Sequence, residues 1–311
     1  MPSDLINGLH HVTAIAGSVR NNVRFYTEIL GLRFIKKTIN YDSPETWHLY
    51  YGDETGSPGS AITFFPFRGI TRGRSGNRSM TTTMFSIGEN SIDFWKNRLK
   101  THQIEFRGPH KRFNEEFLIF EDFDGMPIEL VANAEDTRTG RETPGIPSEH
   151  AIKGFYSVLL SYASFDPSLD FLLKFMNHKI VENNGDRVRL YSGSKVPGYY
   201  VDLISHPSSP NQTPGAGTVH HLAFQTDDEE SQKKIRTILQ NEGYFPSSVM
   251  DRQYFRSIYF REPGGVLFEV ATSGPGFLVD EDIESLGSSL KLPHWLESQR
   301  KEIENMLEPI D

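Results

Sequence analysis

The chain has 311 residues, 37% of them hydrophobic and 12% aromatic, enough for two domains or a set of smaller repeated units. Its net charge of -9 excludes an ordinary nucleic-acid binder, which carries a basic stripe. The sequence contains no cysteine, so disulfides, thiolate metal sites and cysteine nucleophiles are excluded together, and any metal must be held by His, Asp or Glu. Met1–Gly8 lacks the basic start and apolar run of a signal peptide, and no stretch approaches the roughly 18 apolar residues of a membrane helix. These features set the expectation of a cytoplasmic protein without a membrane or nucleic-acid partner; they are compatible with a homo-oligomer.

The first element is a short apolar run, Gly8-Leu9-His10-His11-Val12-Thr13-Ala14, holding a His-His pair. After a polar break, Val23, Tyr26, Ile29 and Leu30 recur at helical spacing over Asn22–Leu30 and stop at Gly31. The loop carrying Arg68, Arg72, Arg74 and Arg78 between glycines reads as a solvated connector, although its charge would also suit an anionic substrate or product. It lacks the GxxxxGK[ST] spacing of a phosphate loop. Phe123–Leu130 is a tight turn followed by a β-rich strand with one acid, Glu129. Asn133–His150, rich in Thr, Gly, Pro and charge, is the natural linker between halves. Tyr199–Ile204 repeats the acid-bearing strand with Asp202, and the proline-rich Ser205–Gly217 follows it. Thr218-Val219-His220-His221-Leu222-Ala223-Phe224 then repeats the opening motif, with Ile235, Ile238 and Leu239 at helical spacing up to Gly243. Glu262–Val270 is a third turn-and-acid strand, with Glu269. From Pro275 the tail is acidic, then helical over Pro293–Leu307, and is expected to lie on the body as a lid or brace.

This recurrence divides the chain into four units of strand, helix and three strands, over about 8–67, 79–133, 152–206 and 218–273. The expected organisation is an N-terminal pair of units in 1–140, a C-terminal pair in 150–275 and a helical tail in 276–311. An α+β chain of four βαβββ modules resembles the vicinal oxygen chelate superfamily, which includes glyoxalase I, bleomycin-resistance proteins and extradiol dioxygenases. The resemblance covers nearly the whole chain and implies two barrel-like sheets. Enzymes and non-enzymes share this architecture, so it assigns no function by itself.

Strand alternation separates candidate ligands from core. His11 and Thr13 share one face of the first strand, Val12 and Ala14 the other; His221, Ala223 and Gln225 oppose Leu222 and Phe224. The second histidine of each pair therefore faces the cavity. Glu269 opposes Val266, Phe268 and Val270, and a buried acid needs a partner such as a metal or an arginine. Across the four units the equivalent first-strand positions are His11, Thr82, Ser157 and His221, and the last-strand positions are Phe64, Glu129, Asp202 and Glu269. Only the first and fourth units supply histidines, so they should face each other and share one metal through His11, His221 and Glu269, with the fourth corner, apolar in character, occupied by Phe64 or a neighbour. A lone strand histidine is usually a core residue; two pairs at equivalent positions together with an acid are not lone. The remaining histidines, including His48 and His178, read as residues of the surface or of the layer just behind the ligands. Two histidines and one carboxylate on one face form the set expected of a non-haem Fe(II) oxygenase; Mn(II) fits the same ligands.

The Leu-His-His-Val-Thr opening, the Val-His-His-Leu-Ala-Phe repeat and the order Arg252, Tyr259, Glu269 resemble the hydroquinone ring-cleaving dioxygenases. That resemblance implies His11, His221 and Glu269 as iron ligands, Tyr259 bonded to the bound hydroxyl, and Arg252, His10, Thr13 and His220 lining the pocket and assisting proton transfer or anion stabilisation. It further implies a small aromatic diol and O2 as reactants. By alternation Tyr259 and Thr13 do face the cavity, whereas His10 and His220 lie on the wrong face and reach it only at a strand end or bulge. Arg252 lies outside a clear strand. The alternatives are a glyoxalase-type lyase or isomerase, which uses four protein ligands, and a drug-sequestering binding protein, which commonly lacks the triad.

Overall fold

Four segments repeat the same order of elements. The first comprises β1 (Leu9–Ala16), α1 (Val19–Arg24) running on as a π-helical turn (Phe25–Ile29), β2 (Arg33–Asn40), β3 (Ser43–Gly52) and β4 (Ala61–Pro66). The second is β5 (Ser79–Gly88), α2 (Ile92–Thr101), β6 (Phe106–Arg112), β7 (Glu115–Glu121) and β8 (Pro127–Asn133). The third is β9 (Gly154–Tyr162), α3 (Asp166–Phe175), β10 (His178–Asn183), β11 (Arg187–Ser192) and β12 (Tyr200–Ser205). The fourth is β13 (Thr218–Thr226), α4 (Glu229–Asn241), β14 (Met250–Asp251), β15 (Phe255–Arg261) and β16 (Leu267–Pro275). This computed structural model describes residues 5–310; Met1–Asp4, part of the segment examined for a leader, lie outside the described residues.

Local chemistry sets the helix limits. Asp228 caps α4 by accepting the Ser231 N–H, Glu229 and Glu230 sit in its first turn, and Ile235 and Leu239 face the core. Ser18 caps α1 by accepting the Asn21 N–H, which starts that helix at Val19, ahead of the expected Asn22. Gly31 follows the π-helical turn at φ 71°, a conformation that suits a residue without Cβ.

Two eight-stranded sheets result, in the orders β14-β15-β16-β13-β1-β4-β3-β2 and β10-β11-β12-β9-β5-β8-β7-β6. The α+β class with two curled sheets matches expectation. Within a module the first and last strands pair in parallel; between modules β1 joins β13 and β5 joins β9, both antiparallel. The first sheet thus unites the first and fourth modules, and the second unites the middle two. Each sheet draws on both halves of the chain, so the 1–140 and 150–275 division follows the linker and does not separate one sheet from the other. The arginine-rich connector is not simply solvated: bridges at Arg72–Ala216, Arg74–Thr213 and Asn77–Asn211 tie it to the second proline-rich connector.

Apolar residues of alternate parity, such as Val12, Ala14, Leu222 and Phe224, fill the core with the helix faces. The tail braces the first sheet. Lys36, completely buried on β2, is bonded to Asp280 and Glu281, and the Trp47 indole N–H donates to the Glu308 carbonyl. Its helix, α5 (Arg300–Met306), is shorter than the expected Pro293–Leu307, because turns and a 3-10 segment, Glu297–Gln299, precede it. Among the described residues no helix is long and apolar enough to cross a membrane.

Candidate metal centre

Sheet register brings the three predicted ligands together. His11 lies opposite Ala223 and Thr13 opposite His221 in the β1–β13 pair, and Glu269 lies opposite Ala223 in the β13–β16 pair. Residues aligned across neighbouring strands share a face, so all three side chains emerge on the concave side. Nε2 of His221 is 2.8 Å from Oε2 of Glu269, Nε2 of His11 is 3.4 Å from that oxygen, and the two nitrogens are 3.3 Å apart. Metal bonds of about 2.1 Å at right angles separate donor atoms by about 3 Å, so the residues fit one ion held on one face. The Glu269 side chain is fully buried, yet its Oε2 forms no aligned hydrogen bond, as befits an oxygen whose partner is a cation. Its Oε1 accepts from the Ser257 hydroxyl. Burial alone would raise the Glu269 carboxyl; the facing imidazoles outweigh it and hold the group well below its ordinary range. Burial also lowers the His221 imidazole. Both shifts favour the coordinating form.

The fourth corner differs from expectation. Glu269, Glu129 and Asp202 lie opposite Ala223, Met84 and Leu159, each two residues beyond the first-strand ligand position. The same step in the first module reaches Thr13, which lies opposite Thr63. The equivalent of Glu269 is therefore Thr63; Phe64 points into the helix-side core. A one-residue slip exchanges the faces of a strand, which is how Phe64 took its place in the sequence comparison. Thr63 is short and its hydroxyl is engaged, 2.8 Å from the Thr13 hydroxyl and 2.9 Å from Nε2 of His48. Thr13 is fully buried with that hydroxyl committed to Thr63, so it lies beneath the cavity wall and does not line it.

The first histidine of each pair is a bulge residue. The β1–β13 register steps from Leu9–Phe224 to His11–Ala223, passing over His10, and from Thr13–His221 to Ala14–Val219, passing over His220. Bulges re-aim side chains that alternation would send away. Nδ1 of His10 lies 2.8 Å from Nδ1 of His11, and Nδ1 of His220 lies 2.8 Å from Nδ1 of His221. With Nε2 of each ligand histidine directed at the centre, its Nδ1–H donates to the preceding histidine, which fixes the tautomer. His10 then donates from Nε2 to the Thr272 carbonyl at 3.2 Å, and burial beside His11 lowers it to about 3, so it stays neutral. His10 supports His11 from behind and does not line the metal-side cavity, contrary to expectation; His220 does line it.

That cavity has a volume of about 380 Å³. Phe65, Phe67, Met250, Phe255 and Leu267 give it apolar walls. Tyr259, opposite Glu269 on β15, lines it, and its hydroxyl accepts from Nε of Arg252 at 3.2 Å. Burial and the Glu269 charge raise the Tyr259 phenol, so it keeps its proton. Arg252 is ordered by Tyr259 and by Asp42, 3.2 Å away, on the turn between β2 and β3. Sequence reasoning passed over His48, which lines the cavity and whose Nδ1 is 2.9 Å from the Tyr50 hydroxyl. Its parity with Tyr50 on β3 was the available signal. His178 is likewise buried rather than superficial, its Nδ1 donating to the Met176 carbonyl.

The second sheet repeats the layout with different partners. Glu129 is paired with Arg112, and Asp202 with Arg187 and Arg189. Glu115 completes the cluster through Arg112 and Arg189. The cations that satisfy these acids are guanidinium groups.

Residues 8–130 and 155–270 match the sequence family described as Glyoxalase/Bleomycin resistance protein/Dioxygenase superfamily. The chain is 42% identical over 303 residues to the "putative ring-cleaving dioxygenase MhqE" of Bacillus subtilis (strain 168), covering 96% of this chain and 98% of that protein. It is 32% identical over 316 residues to the chlorohydroquinone/hydroquinone 1,2-dioxygenase of Sphingobium indicum, covering 98% and 97%. A crystal structure of a "putative dioxygenase" from Bacillus subtilis superposes with a TM-score of 0.94 at 37% identity, over 99% of this chain and 98% of the other. Glyoxalase I from Zea mays, at 15% identity and a TM-score of 0.62 over 86% and 92%, shares the fold. Sequence and architecture agree, and the chain belongs to the glyoxalase, bleomycin-resistance protein and dioxygenase superfamily.

Proposed function

We propose that this protein is an Fe(II)-dependent dioxygenase that cleaves the ring of small aromatic diols of the hydroquinone type, with His11, His221 and Glu269 as ligands. The observation that carries this reading is the unpartnered Oε2 of Glu269 facing two imidazole nitrogens, with the Thr63 hydroxyl in place of a fourth ligand. Four-ligand lyase chemistry is disfavoured by that substitution, and the relatives' names point to ring cleavage. His11, His221 and Glu269 would hold the iron, which would supply Lewis-acid and redox chemistry toward the diol and dioxygen.

The chain's own groups bind and orient the diol. A cavity of about 150 Å³ accepts benzene, so about 380 Å³ leaves room for a ring with a substituent. The apolar walls exclude water. The Tyr259 hydroxyl accepts from Arg252, which leaves its proton free to donate to a diolate oxygen, while the guanidinium offsets the negative charge. His220, with Nδ1 held by His221, exchanges protons with the cavity only through Nε2.

Metal analysis combined with oxygen uptake on methylhydroquinone and catechol tests the proposal. Fe(II)-loaded protein should consume oxygen with the hydroquinone; protein that binds no iron, or stays inert with every diol, overturns it.

A further inference from the structure

A second cavity, of about 520 Å³, lies behind the metal-side one and shares His220, His221 and Leu267 with it as a common wall. Arg78, from the arginine-rich connector, and Arg261, from the end of β15, line it, and no Asp or Glu does. Both arginines are exposed, and among the described residues neither has an acidic partner, in a chain whose net charge is -9.

One turn holds both guanidinium groups. Nη1 of Arg261 donates to the Gly265 carbonyl at 2.8 Å. Gly265 has φ +96°, and a Cβ built there would meet Nε of Arg78 at 2.6 Å and Nη2 at 2.7 Å. Glycine therefore lets the Arg78 fork lie flat on the backbone that orients Arg261. Two exposed guanidinium groups, side by side at the Gly265 turn and without acidic partners, can receive a planar anion. Gln212 also lines this cavity, and its Oε1 is buried without a hydrogen-bond partner.

We propose that this cavity is a carboxylate subsite that receives the ring-opened product from the metal side. The assignment rests on the ring-cleavage reading, for a chemical reason. Breaking the bond between a hydroxyl-bearing ring carbon and its neighbour puts one atom of dioxygen into a carboxyl and the other into an aldehyde or ketone. No outside reductant is needed, and the carboxyl releases its proton. A neutral diol thus arrives and an anion leaves. The metal-side cavity presents an arginine already paired with Asp42; the unpaired cations stand on the other side of His220.

The test uses the full-length, Fe(II)-loaded protein without oxygen and sorbate, a six-carbon conjugated monocarboxylate, as the probe. Calorimetric titration should show binding that weakens roughly tenfold in Arg78→Gln and in Arg261→Gln, and further in the double variant. Arg78→Lys, which keeps the charge, should retain part of it. Metal content and the initial KM for the diol should not change, because neither arginine lines the metal-side cavity. Under turnover, product inhibition should weaken in parallel. Equal sorbate binding by wild type and double variant, or none by wild type, overturns the subsite even if diols are cleaved. Arginine-dependent binding in a protein inert to diols upholds the anion site and sinks ring cleavage instead.

Discussion

Thr63 occupies in the first module the position that Glu269 holds in the fourth, each aligned with the residue two beyond a ligand histidine. The candidate centre therefore offers three donor side chains, and a hydroxyl, committed to Thr13 and His48, stands where a fourth donor would be. Thr63→Glu should supply that donor. We expect tighter retention of divalent metal and oxygen uptake reduced by at least about 100-fold, at an overpacking cost of about 1–3 kcal/mol. Metal retention against a chelator and oxygen-electrode rates check it; undiminished turnover would exclude Thr63 from the fourth corner.

Glu269→Gln removes the charge while keeping the shape. Metal affinity should fall by more than about 100-fold. The metal-free variant should still fold, because the amide keeps the size of the carboxylate and can still accept from the Ser257 hydroxyl. Metal content after dialysis and a thermal melt separate the two effects, and full metal occupancy in the variant would refute the ligand assignment.

In the second sheet, Arg189→Met should act on folding alone. It removes one of the two guanidinium partners of each buried acid, Glu115 and Asp202, at a cost of about 3–5 kcal/mol by urea unfolding, with metal stoichiometry unchanged. Loss of metal with normal stability would contradict the structural role given to this cluster.

Asp122 supplies a pH signature. Its carboxyl accepts from the Tyr26 hydroxyl at 3.0 Å and from the Asp124 and Met126 backbone amides, and burial raises it to about 6. The unfolded value is about 3.9, so the folded state holds the extra proton between the two. Its stabilising contribution is complete below about pH 4 and is lost as pH rises through about 6, on the order of 2–3 kcal/mol. Comparing wild type with Asp122→Asn by urea unfolding at pH 4.5 and 7 should show the variant's smaller pH dependence; identical slopes would exclude this source.

Much of the centre is legible in one dimension. The two His-His pairs, the acid in an apolar strand and the glycine-ended helices are periodic signals, and strand alternation alone selects His11, His221 and Glu269. What alternation cannot supply is register, because a single bulge inverts every face beyond it. The bulges at His10 and His220, the burial of Thr13 and the replacement of Phe64 by Thr63 all follow from how β1 pairs with β13 and β4. Likewise an acid in a strand announces only that it needs a partner. Glu269 meets two imidazoles while Glu129 and Asp202 meet arginines, and those partners come from strands distant in sequence. Identity, repeat and parity belong to the sequence; which strands become neighbours, and hence which charge answers which, is decided only when the modules pair.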